Sequence, residues 1–291
     1  MFGFRFSRVA ASVAVLAGLS TAAYAAVEAM SSEPPPQHWS FDGPFGTFDR
    51  AEVQRGYQVY KEVCAACHAL SLVAYRNLTD IGLTDDQIKD QIKDITVQDG
   101  PNDQGEMFDR PAKLSDRFKS PFPNEQAARA ANNGAYPPDL SLITKARDVE
   151  PEGGIPVIRS FISKLHYTGP DYVYGVLTGF RDLSKLTPAD RKSLDLPADF
   201  KLNDGMYFNI HFKGHQIAMP PPLEDGKVTF ADGAPNKVSD MAHDVVTFLA
   251  WASEPKMEER KRTGVKVVLF LLALGGLMYA VKRKVWAGVA H

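Results

Sequence analysis

Both cysteines of the chain lie in one pentapeptide, Cys64-Ala65-Ala66-Cys67-His68. The C-x-x-C-H spacing suits covalent attachment of a c-type haem, because two thiols can add to the two vinyl groups while the next histidine coordinates the iron. A disulfide or a thioredoxin-like C-x-x-C pair is the alternative, but neither requires the following histidine. The pentapeptide therefore predicts one covalently attached haem c, with His68 as the proximal ligand.

An iron held by one histidine needs a second axial ligand or an open site. Met219 is the best placed of the eight methionines and the remaining histidines, because it lies in the segment Ile217 to Leu223, where three prolines fix φ and stiffen the loop. A methionine packed in the core is the alternative. His211 and His215 share a four-residue spacing that could bind a metal, but no third ligand is apparent. We interpret them as surface histidines.

The residues before the pentapeptide predict a helix that positions it. Thr47 or Asp49 can cap this helix. Its apolar positions recur at three and four residues: Val53, Tyr57, Tyr60, Val63 and Cys64. Gly56 lies on the same face as Tyr60 and Cys64, where a missing side chain lets a second helix cross at close range. An ordinary amphipathic helix with an incidental glycine is the alternative.

The expected partner is a helix from Ser239 to Ser253, capped by Ser239. Its apolar stripe comprises Met241, Val245, Phe248, Leu249 and Ala252. A pair of terminal helices around C-x-x-C-H resembles the class I cytochrome c fold. We therefore expect a mainly α, class I cytochrome c-like haem domain with long loop insertions, and haem in the crevice between the helices and loops.

The N-terminus has the pattern of a secretory signal peptide. Arg5 and Arg8 precede an apolar run from Val9 to Leu19, and small residues end in Ala23-Tyr24-Ala25. An organelle presequence would carry more arginine and a weaker apolar run. Residues 1–25 are therefore predicted to direct bacterial export and to be removed.

Near the other end, Val267 to Val281 is uninterruptedly apolar, with Lys266 before it and Lys282-Arg283-Lys284 after it. A bilayer span needs about 20 residues, and Gly264 and Val265 lengthen this run. A buried core helix is the alternative, although such a helix is rarely apolar on every face. The pattern predicts one transmembrane helix.

These features divide the chain into a signal peptide (1–25), a periplasmic haem domain (26–255) and a transmembrane anchor with a short cytoplasmic tail (256–291). The predicted location is the bacterial inner membrane, crossed once.

Residues 26–255 carry 23 basic and 33 acidic side chains, a formal charge of −10. This charge disfavours nucleic acid and favours a cationic partner.

Acids are concentrated between residues 80 and 109. They are Asp80, Asp85, Asp86, Asp90, Asp94, Asp99, Asp103, Glu106 and Asp109. Two interpretations are open: a docking surface for a basic protein, or a merely solvated helix and loop. The second is plausible chemistry because Thr84 can cap a helix whose first turn favours acids.

Several motifs, in order along the chain, resemble the cytochrome c1 family. They are Phe41 to Asp49, Arg55 to Tyr60, the C-A-A-C-H pentapeptide, Tyr136 to Ser141, Lys145 to Arg147, Asp171 to Tyr174, Ile217 to Leu223, Trp251 to Pro255 and the single C-terminal anchor. The combination is specific, and the resemblance extends from about Phe41 to the C-terminus.

The resemblance implies the roles of individual residues. Cys64 and Cys67 match the thioether positions, His68 the proximal ligand and Met219 the distal ligand. Arg147 matches an arginine near a haem propionate. Pro137 and Pro138 match a proline pair that packs beside the haem.

The family further implies an electron-transfer subunit of the cytochrome bc1 complex, with cytochrome b and the Rieske iron–sulfur protein as partners. The haem would receive an electron from the iron–sulfur protein and pass it to a soluble or membrane-tethered cytochrome c. No catalytic chemistry of its own and no quinol site are assigned to this chain.

The sequence also departs from the family. Asp148 to Pro170, with a predicted helix from Val157 to Leu165, is an insertion relative to shorter members, and Leu183 to Leu202 resembles a variable loop. Some bacterial relatives brace the region before the distal methionine with a second cysteine pair, which this chain lacks. Rigidity near Met219 must therefore come from packing and proline.

Other function classes remain open at this point. A haem enzyme or gas sensor would need an open or histidine-ligated iron and distal acid–base groups, and none is evident. A purely structural anchor subunit would have no reason to carry the pentapeptide. A membrane-anchored cytochrome c subunit of a terminal oxidase is the nearest competitor.

Overall fold

The computed structural model describes residues 34–149 and 166–289. Its helices are α1 (Arg50–Glu62), α2 (Asp85–Ile92), α3 (Glu125–Ala131), α4 (Ile143–Ala146), α5 (Thr168–Thr178), α6 (Pro188–Ser193), α7 (Val238–Ser253) and α8 (Met257–Trp286). Two short antiparallel pairs join β1 (Thr96–Asp99) to β2 (Phe108–Pro111) and β3 (Tyr207–Phe208) to β4 (Gln216–Ile217). The mainly α fold class is confirmed. The predicted signal peptide and the predicted helix from Val157 to Leu165 lie outside the described residues.

Helix α1 begins where the sequence predicts. The Asp49 side chain accepts hydrogen bonds from the backbone N–H groups of Ala51 and Glu52, at 2.8 and 3.2 Å, so Asp49 is the cap. The expectation that Cys64 lies on the face of this helix is wrong. The helix ends at Glu62, and Cys64–Ala66 form a separate 3₁₀ turn, in which the Cys67 N–H donates to the Cys64 carbonyl at 3.1 Å.

Helices α1 and α7 cross at Gly56, as predicted. A Cβ atom at this position would lie 1.9 Å from the backbone oxygen of Asp244 and 2.8 Å from the Cβ of Phe248. Only glycine allows the backbones to approach this closely. The predicted stripe on α7 is buried, and the Tyr57 and Tyr60 rings of α1 each lie 5.6 Å from the Phe248 ring. The helix pair is therefore the centre of the core.

The prediction that Ser239 caps α7 is wrong. The helix starts at Val238, and Lys237 holds the capping position. Its first N–H groups find other acceptors: the Val238 N–H donates to the Asp225 carboxylate at 2.8 Å, and the Lys237 N–H donates to Asp240 at 3.3 Å. A loop carboxylate thus satisfies the helix end, so the serine is not needed there.

Helix α8 is 30 residues long, and none of its most apolar 18-residue window is buried. Among the described helices it alone is long and apolar enough to span a membrane. The alternative of a buried core helix is therefore wrong. Its first turn is attached to the rest of the chain through the Arg50–Glu258 ion pair at 2.8 Å and a hydrogen bond from Lys261 Nζ to the carbonyl of Phe41 at 2.5 Å.

Candidate functional site

The structure brings His68 and Pro138 together across 70 positions of sequence. The His68 Nδ1 lies 2.8 Å from the carbonyl oxygen of Pro138. A carbonyl can only accept, so Nδ1 carries the proton and Nε2 presents its lone pair. Tyr60 of α1 donates from its hydroxyl to the His68 carbonyl at 3.2 Å. The imidazole is thus oriented as a metal-ligating histidine with its second nitrogen fixed by a backbone carbonyl.

Burial lowers the pKa of His68, and the opposing Pro138 hydrogen bond and nearby Asp139 do not offset it. A lowered pKa keeps the ring neutral at pH 7, which is the form that binds a metal.

Sequence reasoning missed the lock that holds these two segments together. Asp139 accepts from the backbone N–H groups of Ser71 and Ser141, at 3.0 and 2.7 Å. The Ser141 hydroxyl in turn accepts from the Leu72 N–H at 3.0 Å. The Asp-x-Ser pattern directly after the two prolines is a known turn former and could have indicated this lock. It fixes the chain after His68 against the chain after Pro138.

The two thiols lie on the 3₁₀ turn next to His68. Cys64 is half-buried and Cys67 is exposed, and they form no disulfide with each other. Burial, together with the neighbouring Cys67, raises the pKa of Cys64 to about 12, so this thiol is protonated at pH 7. A protonated thiol is a poor metal ligand, so Cys64 is not a metal donor in this state.

Met219 is half-buried and follows β4 by two residues. It stands immediately before Pro220, Pro221 and Pro222. The structure places it in an irregular loop, as expected, between a paired strand and a run of fixed φ angles.

The interpretation of His211 and His215 as surface residues is wrong. His211 is 9% exposed and His215 is fully buried. Gly175 of α5 and Gly179 at its C-terminal cap make room for the His211 ring, since a Cβ at Gly179 would lie 2.9 Å from its Cδ2. The four-residue spacing suggested an exposed helix, but the chain here is a hairpin loop that folds inward. Among the described residues no three His, Cys, Asp or Glu side chains form a metal cluster.

Arg147 is exposed and caps the C-terminal end of α4. Its charge acts on the Tyr172 hydroxyl of α5, where burial raises the pKa of Tyr172 and Arg147 opposes that rise. Arg147 therefore places a positive charge near the hydroxyl of Tyr172, within the motif Asp171 to Tyr174.

Exposed apolar side chains lie close in sequence to the contact between His68 and Pro138. Leu72, Tyr136 and Leu142 are 55%, 50% and 46% exposed, and each lies within four residues of one of the two partners. Apolar side chains concentrated around one site mark a surface that another group covers.

A separate cavity of about 1140 Å³ opens beside the proline run. Leu177 of α5, Phe200, Phe208, Pro221 and Leu223 line it. None of the residues predicted to hold haem lines this cavity, so the site is defined by its donor set rather than by this opening.

The donor set fits a c-type haem. It supplies two free thiols three residues apart, one oriented neutral imidazole and a thioether on a stiffened loop. Thiols for attachment, together with nitrogen and sulfur ligands, are what such a group requires.

Comparison with known proteins agrees with the site. The sequence profile of the Cytochrome C1 family matches residues 39–289. Cytochrome b/c1 of Bradyrhizobium diazoefficiens is 50% identical over 88% of this chain, which spans only 36% of that longer protein. Cytochrome c1-2, a mitochondrial heme protein of Solanum tuberosum, is 44% identical over 95% of this chain and 94% of its own length. Cytochrome c1 of Rhodospirillum rubrum is 41% identical over 88% of both chains.

The helical fold, the donor set and these similarities define a c-type haem domain followed by one helix that could cross a membrane. The chain belongs to the cytochrome c1 family. Membership implies haem c as the cofactor and electron transfer as the class of function.

Proposed function

We propose that this chain is the haem-bearing electron-transfer subunit of a cytochrome bc1 complex. One haem is attached through Cys64 and Cys67, with His68 Nε2 as the proximal ligand and Met219 as the distal ligand. When bound, the haem supplies a one-electron iron couple. The observation that carries the proposal is the hydrogen bond from His68 Nδ1 to the Pro138 carbonyl, because it orients the ring and fixes its tautomer.

The role of the protein residues is to hold the proposed haem and its ligands in position. The lock between Asp139, Ser71 and Ser141 holds the chain around His68 in place, which would limit its movement when a bound haem iron is oxidised or reduced. Arg147 offers a cation to a haem propionate, and Pro137 and Pro138 pack beside the ring.

The family and the surface support the proposed partners. Cytochrome b and the Rieske iron–sulfur protein are the neighbours in the membrane complex. The iron–sulfur protein donates the electron, and a soluble or membrane-tethered cytochrome c accepts it. The exposed apolar side chains of Leu72, Tyr136 and Leu142 support close approach of a redox partner at this site.

The proposed topology has three parts. Residues 1–25 are a signal peptide, 26–255 form a periplasmic haem domain, and 256–291 anchor the chain in the inner membrane. The exposed apolar surface of α8 supports the anchor, since a helix of this composition is stable when lipid covers it.

The test is purification of the full chain from its native membrane. We expect haem to stay on the polypeptide in denaturing electrophoresis, a low-spin c-type optical spectrum, and co-purification with a cytochrome b and an iron–sulfur protein. Release of the haem into acidic organic solvent would contradict covalent attachment. Co-purification with copper-containing oxidase subunits would instead identify the terminal-oxidase alternative.

A further inference from the structure

The chain that leads to Met219 is a short hairpin fastened to α5. Strands β3 and β4 pair Tyr207 with Ile217, two residues before Met219. The loop between the strands begins at Asn209, which is fully buried and donates from its side-chain amide to the Val176 carbonyl of α5 at 2.7 Å. The base of the hairpin is therefore attached to α5 by this hydrogen bond.

His215 closes this hairpin in an unfavourable backbone conformation. Gly214 and His215 have φ angles of 76° and 58°, both in the left-handed region. A residue with a Cβ atom rarely adopts this region, so its side chain must make compensating contacts. The His215 ring is fully buried and stacks on the Phe208 ring of β3 at 5.5 Å.

Hydrogen bonds join both ends of the loop through His215. The His215 Nδ1 lies 3.1 Å from the Asn209 carbonyl oxygen, and the Asn209 N–H donates to the His215 carbonyl, also at 3.1 Å. Because a carbonyl only accepts, Nδ1 carries the proton. The buried Nε2 has no hydrogen-bond partner among the described residues. The hydrogen bond of the His215 ring to the Asn209 carbonyl therefore closes the loop.

We propose that His215 is a positioning residue for Met219. The inference rests on the proposed role of Met219 as the distal ligand. His215 restrains the chain four residues before the thioether, and Pro220 to Pro222 restrain it immediately afterwards. Both cysteines lie in the pentapeptide, so no disulfide can brace this loop, and the imidazole bond to Asn209 takes that place.

The test measures how easily the thioether leaves the iron. In the full-length ferric protein in detergent, His215→Phe keeps a ring against Phe208 but cannot donate to Asn209. We expect a weaker thioether-to-iron absorption band and an imidazole affinity that rises roughly three- to tenfold, the effect of one lost hydrogen bond. His243→Phe is the matched control, because the His243 ring stacks on Trp39 at 4.6 Å in another part of the core.

A second variant separates the hydrogen bond from the ring. Asparagine tolerates left-handed φ and can donate to the same carbonyl, so His215→Asn should hold the imidazole affinity within about threefold of the wild type. If the phenylalanine variant fails to fold, this variant is compared with His215→Ala, which has no donor: a rise in imidazole affinity in the alanine variant alone supports the assignment, and equal affinities in the two variants overturn it.

Two further results would overturn the inference in different ways. An unchanged band and affinity in His215→Phe would show that the histidine is only a packed ring, while Met219 remains the ligand. Absence of the thioether-to-iron band from the wild-type protein would instead remove Met219 from the iron and with it the proposed distal ligand.

Discussion

At the residue scale, the two proposed axial ligands are held in different ways. The His68 ring is fixed by a hydrogen bond to Pro138, whereas Met219 has a thioether that accepts only weak hydrogen bonds. Its position depends on the stiffness of the chain around it. A weak sulfur donor favours ferrous iron, so substitution of this side chain tests the proposed ligand set directly.

We expect Met219→Lys to lower the haem midpoint potential by on the order of hundreds of millivolts, within the range of about 0.8 V that axial ligands span. The amine stabilises ferric iron, so reduction by the iron–sulfur partner should stall. A redox titration checks the result. Met107→Lys is the control, since Met107 is 53% exposed and lies in the turn between β1 and β2. An unchanged potential in a folded Met219→Lys protein would exclude Met219 as the ligand.

A second residue-scale feature is a histidine held between two carboxylates. The His166 Nδ1 lies 2.8 Å from Asp42, and its Nε2 lies 2.6 Å from Asp171. Asp171 also accepts from the indole N–H of Trp39 at 2.8 Å. Burial alone lowers the pKa of His166, but the hydrogen bonds to Asp171 and Asp42 outweigh it and raise that pKa. The ring therefore joins the N-terminal segment to α5 through both of its nitrogens.

Since the folded pKa of His166 exceeds its unfolded value of about 6.5, its stabilisation is complete below that pH. The stabilisation is lost as pH rises through the folded pKa. We expect His166→Ala to reduce the free energy of unfolding by about 0.5–1 kcal/mol at pH 6, a modest value because a third of the side chain is exposed.

The difference should vanish at alkaline pH, where the wild-type ring is neutral. Thermal unfolding across pH in detergent measures it. His38→Ala, at an exposed histidine of the same segment, should leave the pH slope unchanged. A stability loss in His166→Ala that is the same at every pH would show that the imidazolium charge plays no part.

At the element scale, the crossing of α1 and α7 carries the haem-binding turn. The crossing depends on Gly56, and the ion pair from Arg55 to Asp244, at 2.7 Å, lies next to it. The 3₁₀ turn of Cys64–Ala66 follows α1 directly. A shift of α1 therefore moves both thiols and His68 together.

We expect Gly56→Ala to destabilise the protein by about 1–3 kcal/mol or more, because the new Cβ would meet the Asp244 carbonyl and force the helices apart. Haem loading should fall with the melting temperature. Gly264→Ala is the matched control: this glycine lies in α8, and a Cβ there would have no atom within 4 Å. Equal melting temperatures for Gly56→Ala and the wild type would contradict the close crossing.

At the scale of the whole molecule, charge distribution is the main surface property. The structure separates the acids between residues 80 and 109 into two kinds. Asp99 pairs with Arg110 across the β1–β2 hairpin, and Arg110 also binds Asp116 at 2.6 Å, so Asp99 has a structural role. The other acids of this segment are exposed. Asp86 and Asp90 form surface ion pairs with Lys89 and Lys93, at 3.1 and 3.0 Å, and all of these acids face solvent, where a cationic partner can reach them.

We expect reduction of a basic cytochrome c by the purified complex to slow as ionic strength rises, because opposite charges steer the encounter over about 10 Å at 0.1 M salt. Stopped-flow rates over a salt series measure this. A rate independent of salt with every cationic acceptor would contradict electrostatic docking and would favour a membrane-tethered acceptor.

Neutralising acids in groups separates the two interpretations of this segment. The test group is Asp90, Asp94 and Asp109, each changed to asparagine. The control group, equal in charge, is Asp195, Asp199 and Asp204. A smaller salt slope in the test group alone identifies docking acids, whereas equal slopes in both groups identify solvated ones.

Several features of the fold and the site could be predicted from local sequence. The cap at Asp49, the close crossing at Gly56, the buried stripe on α7 and the long apolar helix α8 all depend on residue type and spacing over one or two turns. Their physical basis is short-range geometry and hydrophobic periodicity. The cap of α7 was misplaced because its acceptor, Asp225, comes from a preceding loop rather than from the helix itself.

Sequence alone determined the chemistry of this protein: two thiols and a histidine in one pentapeptide, a thioether before three prolines, and family motifs in order. Only the tertiary structure decided which partners hold those groups. Two of these contacts join segments up to about 125 residues apart: the hydrogen bond from His68 to Pro138 and the contacts of His166 with Asp42 and Asp171. The burial of His215 is likewise a property of the folded chain. Such contacts depend on how the loops fold back over the helix pair, and no local periodicity encodes that path.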